Sequence, residues 1–177
     1  MKRPAVLLLL LVLASGLGAL TATDGVWLDV PFIAQEADGC GAASLAMVMD
    51  YWRSHGMTSG AVAASEIYRQ LDVLEQKGIP ANAMQRFFEA HGFRAFTFSG
   101  EWTDLRHHVE RGRPLIVALK TGADSFHYSV VAGASETTIS LNDPADRKLR
   151  LYSRKDFEKR WFATEQWTLL AVPIQKL

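Results

Sequence analysis

The chain has 177 residues, with 19 Lys and Arg against 19 Asp and Glu, 49% apolar residues and 21% charged ones. That balance describes a folded domain large enough to bury a core and excludes a disordered chain or a multi-span membrane protein. Without a basic excess there is no electrostatic case for nucleic acid or an anionic membrane surface as a partner.

At the N-terminus, Lys2 and Arg3 precede an unbroken apolar run from Ala5 to Ala14, and Ala14-Ser15-Gly16 offers small residues at cleavage spacing. Residues 1–22 therefore read as a signal peptide. A membrane anchor is the alternative, because apolar character continues to Leu20, just short of the ~20 residues that cross a bilayer. No Cys closes the run, which argues against a lipoprotein anchor. The remainder, residues 23–177, reads as one domain. It is expected to be exported, periplasmic or secreted, and to touch the membrane only through the leader if that is retained.

Val26 to Phe32 alternates apolar and polar, with Pro31 marking an edge strand or an extended lead-in. From Gly41 to Trp52 the apolar residues Leu45, Val48, Met49 and Trp52 recur at helical steps, with Asp38 as the expected N-cap and Gly56 as the stop. Helices are expected over Ala64–Leu74, Ala81–His91 and Thr103–Gly112, the last capped by Thr103, with a short strand at Phe93–Phe98. Beyond Pro114 come five strand candidates: Leu115–Lys120, His127–Ala134, Thr137–Asn142, Lys148–Tyr152 and Trp167–Pro173. A late helix over Ser153–Phe162 interrupts them. Helices first and an antiparallel sheet second make an α+β fold.

Cys40 is the only cysteine. That rules out an internal disulfide and a Cys-rich zinc site, and an unpaired thiol in an exported chain should be buried or functional. It falls in the first turn of the Gly41–Trp52 helix, where the dipole favours a thiolate. First-turn N–H groups also lack helical partners there and can meet an oxyanion. Small neighbours Gly39, Gly41 and Ala42 are expected to leave room for a substrate backbone, and Gln35 supplies a neutral amide as a second oxyanion donor.

A thiolate nucleophile needs a base, and the base needs an orienting group. His127 starts one strand and Asp143 ends the next, and a short turn between antiparallel strands would bring both to the same edge. Taken singly, each has a plainer reading: Asp143 as an Asp-Pro turn former, His127 as a strand-end residue, Cys40 as a small buried side chain. The combination points to catalysis. His107 and His108 are adjacent on a helix and do not face one another, so no metal site is assigned to them. His55 and His91 suit helix C-termini.

Three blocks carry a resemblance: Gln35 followed by Cys40-Gly41-x-Ala43-x-Leu45-x-Met47-Val48, then His127-Tyr128-x-Val130-Val131, then Asp143-Pro144-Ala145. Over roughly Val30 to Phe162 the chain resembles the bacteriocin-processing, double-glycine leader peptidases, a papain-like cysteine peptidase family. The resemblance implies a papain-like fold, with Cys40 as nucleophile, His127 as base, Asp143 as orienter and Gln35 at the oxyanion. It implies hydrolysis of a peptide or protein substrate through a thioester, with no metal or organic cofactor. Double-glycine specificity does not follow, because the well-known members sit at the front of a transporter. The same scaffold admits a transglutaminase-like enzyme, a peptidoglycan amidase or a non-catalytic peptide-binding module.

Overall fold

The computed structural model describes residues 25–57, 62–71, 78–123 and 125–174. The leader read over residues 1–22 and the tail of the helix expected to reach Leu74 lie outside the described residues. Among the described residues, helices α1 (Cys40–Ser54), α2 (Ala64–Gln70), α3 (Ala81–Ala90), α4 (Trp102–Glu110) and α5 (Arg154–Phe162) accompany seven strands. The strands are β1 (Val26–Trp27), β2 (Phe93–Ser99), β3 (Leu115–Lys120), β4 (Phe126–Ala134), β5 (Thr138–Asn142), β6 (Arg150–Ser153) and β7 (Trp167–Pro173).

Six strands form an antiparallel sheet in the order β2-β7-β3-β4-β5-β6, and β1 adds to β4. Helix α1 packs on β3 and β4, α3 on β2 and β7, and α5 against β3, β5 and β6. Strand β3 is buried from Leu115 to Leu119, as expected for a strand covered on both faces. Trp161, Phe157, Phe88, Phe93 and Met47 are among the largest fully buried side chains of the core. The expected α+β architecture is the one observed.

Two local expectations, both helix caps, are corrected, and the lead-in over Val26–Phe32 is made more definite. The first strand stops at Trp27: Leu28 N–H still reaches the Ala132 carbonyl (2.6 Å), but Val30 turns back on Leu28 (2.8 Å) and Pro31 has no N–H to continue the ladder. Asp38 does not cap α1. The N-cap is Gly39, with no side-chain cap bond. A tight turn at Ala37 (φ 42°) closes Gly39 N–H onto the Glu36 carbonyl (2.8 Å), which leaves Asp38 a residue too early. Nor does Thr103 cap α4; Glu101 does, in a reciprocal capping box with Asp104. Gly56 and Gly112, expected at the ends of their helices, follow α1 and α4 in the left-handed conformation (φ 92° and φ 69°).

Candidate active site

Helix α1 begins at Cys40 itself, and its first ladder bond runs from Ala43 N–H to the Gly39 carbonyl (2.9 Å). The N–H groups of Cys40, Gly41 and Ala42 thus precede the helical ladder, at the positive end of the dipole. Cys40 is half-buried and unpaired with any other sulfur. Two of the small residues around it are required by close packing. A Cβ on Gly39 would lie 2.7 Å from the Glu36 carbonyl oxygen and 3.0 Å from the Tyr68 ring, and one on Gly41 would press on Ile79 at 3.2 Å. Gly39 and Ala42 also line a small cavity described below.

Strands β4 and β5 pair with Val130 opposite Asn142. Continuing that register brings His127 and Asp143 to the same end of the hairpin, and His127 Nε2–H donates to Asp143 Oδ1 at 2.6 Å. Asp143 Oδ1 also accepts the Ala145 N–H (3.1 Å), which fixes the carboxylate on its own turn. The Cys40 thiol lies beside the same imidazole, close enough to act on its ionisation, while the fully formed side-chain hydrogen bond to the ring is that with Asp143. Burial works to lower the His127 pKa, but the hydrogen bonds and charges of Asp143 and Cys40 outweigh it and push the pKa up to about 9. Burial alone would raise the Asp143 carboxyl; His127, the Ala145 N–H and Arg150 together bring it below the ordinary value. The pair is arranged to hold a cation on the ring and an anion on the carboxylate at neutral pH.

Gln35 is tied to the same loop by its backbone, its N–H reaching the Pro144 carbonyl (2.9 Å). Its side-chain amide donates one hydrogen to the Ala37 carbonyl (2.6 Å). A primary amide carries two, so one donor remains. A cavity of about 340 Å³ opens beside His127 and Asp143, with Leu119, Phe126, Tyr152 and Arg150 on its wall. A smaller one of about 190 Å³ lies between α1 and α2, where Gln35, Gly39, Ala43 and Tyr68 face it.

Two residues that the sequence reading passed over build this corner. Asn142 is fully buried; its Nδ2 donates to the Val30 carbonyl (3.0 Å) and its Oδ1 accepts the Leu149 N–H (3.0 Å). Arg150 reaches the second oxygen of Asp143 (3.5 Å). A polar residue directly before Asp-Pro was the available signal for Asn142. Nothing in local periodicity marks Arg150. Among the described residues, no group of His, Cys, Asp and Glu has a metal-site arrangement. His55 and His91 each place Nδ1 2.7 Å from a carbonyl one turn back in their helix, as their positions implied.

A sequence model of the Peptidase C39-like family matches residues 27–168. No curated protein sequence matches the chain. Among solved structures, the chain is similar to a protein from Bacillus anthracis described as a C39-like peptidase, at 17% identity, covering 86% of this chain and 100% of that one, with a TM-score of 0.69. It is similar to the peptidase domain of Streptococcus ComA, a bi-functional ABC transporter involved in quorum sensing, at 21% identity, 82% and 99% coverage and a TM-score of 0.64. It is also similar to a double glycine motif protease from an AMS/PCAT transporter, solved in complex with its leader peptide, at 23% identity, 84% and 95% coverage and a TM-score of 0.64. At such identities these structures speak for the fold.

Proposed function

Because the chain belongs to the Peptidase C39-like family, a family of cysteine peptidases, we propose that it hydrolyses peptide bonds through a thioester on Cys40. The observation that carries this reading is the 2.6 Å His127–Asp143 hydrogen bond with the only thiol of the chain beside the same ring. The reacting form of the nucleophile is the Cys40 thiolate at the start of α1, with the His127 imidazolium beside it. The sulfur attacks the scissile carbonyl, and the charge moves to its oxygen, which the Cys40 N–H and the free hydrogen of the Gln35 amide receive. His127 gives its proton to the leaving amine, and a thioester remains. The neutral ring then takes a proton from water, the hydroxide oxygen bonds to the acyl carbon, and the thiolate leaves. Asp143 keeps the ring oriented throughout. The crystallised relative with a leader peptide supports a peptide as substrate.

The leader read over residues 1–22 supports export, which cell fractionation with N-terminal sequencing of the recovered protein tests. Recovery in the cytosol with residues 1–22 intact would overturn it. For the chemistry, the test is cleavage of a peptide library by the wild-type chain and by Cys40→Ala, read by mass spectrometry. Wild type is expected to cut and the variant, still folded, to be inactive. Cleavage by Cys40→Ala would refute the mechanism, and amine incorporation in place of scission would move the enzyme to transglutaminase-like chemistry.

A further inference from the structure

The proposed mechanism uses only one oxygen of Asp143. Oδ1 receives both His127 and the Ala145 N–H. Oδ2 has Arg150 Nη1 3.5 Å away, and both residues line the 340 Å³ cavity. Arg150 is held in turn. The same Nη1 lies 2.9 Å from Asp146 Oδ2, and the guanidinium rests over the Tyr152 ring, 4.9 Å from its centroid. The chain delivers it there by a specific path. Asp146 N–H closes a turn on the Asp143 carbonyl (3.0 Å), Leu149 takes a left-handed conformation (φ 54°), and its N–H is caught by Asn142. Strand β6 then starts with Arg150 opposite Leu141, two residues before the carboxylate it faces.

We propose that Arg150 is a positioning residue, which clamps the free oxygen of Asp143 so that the carboxylate plane stays aligned with the His127 ring. The inference rests on the proposed reading of Cys40, His127 and Asp143. A guanidinium suits this position because one nitrogen, Nη1, meets both carboxylates while the flat, delocalised group covers the Tyr152 ring, a stacking geometry that an ammonium lacks. The charged and titratable groups facing Asp143 are His127 and, beyond it, Cys40 from α1, with Arg150 and Tyr152 from β6 and Asp146 from the turn. Arg160 of α5 completes the set at the cavity wall. Arg150 is the arginine whose guanidinium reaches the carboxylate's second oxygen.

The test is an NMR titration of the His127 imidazole in the full chain, with kinetics alongside. Arg150→Met keeps the apolar stem on Tyr152 and removes the guanidinium, and Arg150→Lys restores charge without the planar fork. If Arg150 positions Asp143, the Met variant loosens the His127–Asp143 bond, and the His127 pKa falls by about one pH unit. Its kcat falls about tenfold while KM moves little, and Lys recovers only part of both. A mere charge effect predicts the opposite sign, since removing a nearby cation raises the pKa of a histidine. A His127 titration that stays put or moves upward in Arg150→Met therefore overturns the proposal. The titration reads Arg150 even if the wild-type chain cleaves no peptide, so failure of the peptidase reading shows separately, as absent cleavage beside a normal His127 response.

Discussion

His127 sits where two opposed effects meet. Burial strips water from the ring and disfavours its charge, while Asp143 and Cys40 favour it, and the latter win with a pKa of about 9. The proposed cycle needs that proton for the leaving amine, so kcat/KM should fall on the alkaline side with an apparent pKa of about 9, checked by a pH–rate profile. Replacing Asp143 by Asn removes the negative charge and should move that limb down toward about 6.5, the value of an unperturbed imidazole. A limb that does not move would mean that Asp143 does not govern the ring. The convergence of His127 and Asp143 was legible in the sequence because antiparallel strands are regular: one residue at the start of a strand and another at the end of the next must meet. Arg150 was not legible, since its place depends on a left-handed Leu149 and on the β5–β6 register, neither of which leaves a periodic trace.

Helix α1 and the hairpin β4–β5 are separate in sequence, and the segment before α1 holds them together. Asn142 clamps Val30, and the Gln35 N–H clamps Pro144, so the loop leading to Cys40 is anchored to the loop bearing Asp143. Asn142→Leu leaves a buried Val30 carbonyl and the Leu149 N–H without partners. It should cost about 2–4 kcal/mol, read by urea unfolding, and should lower activity beyond what the stability loss explains. Gly39→Ala meets backbone at 2.7 Å, so the Glu36–Gly39 turn must shift. We expect a loss of about 1–3 kcal/mol together with slower alkylation of Cys40, whereas an unchanged alkylation rate would show that this turn does not set the thiol's position. The helices were readable from their apolar spacing, but their starts were not. Asp38 and Thr103 have the right chemistry for caps, yet the Ala37 turn and the Glu101–Asp104 capping box decide where each helix begins.

For the whole molecule, the same ionisations make stability depend on pH. His127 is raised on folding, so its contribution is fully present below about 6.5 and is lost as pH rises through about 9, on the order of 3 kcal/mol in all. Asp143 is lowered on folding, so its contribution is present above about 3.9 and is lost on further acidification. The melting temperature should therefore decline between about pH 6.5 and pH 9, and His127→Ala should flatten that decline. An equal slope in both proteins would assign it to other groups. Strand β7 carries a different consequence. It lies between β2 and β3, although it follows both in the chain by many residues. A nascent polypeptide that has not yet released Trp167–Pro173 leaves β2 with no partner in the sheet and β3 with one open edge, because β7 is the strand that joins them. Strands β3 to β6 pair without it, but a product cut short before that strand would keep those open backbone groups and be prone to stick to its own kind rather than give a partly working protein.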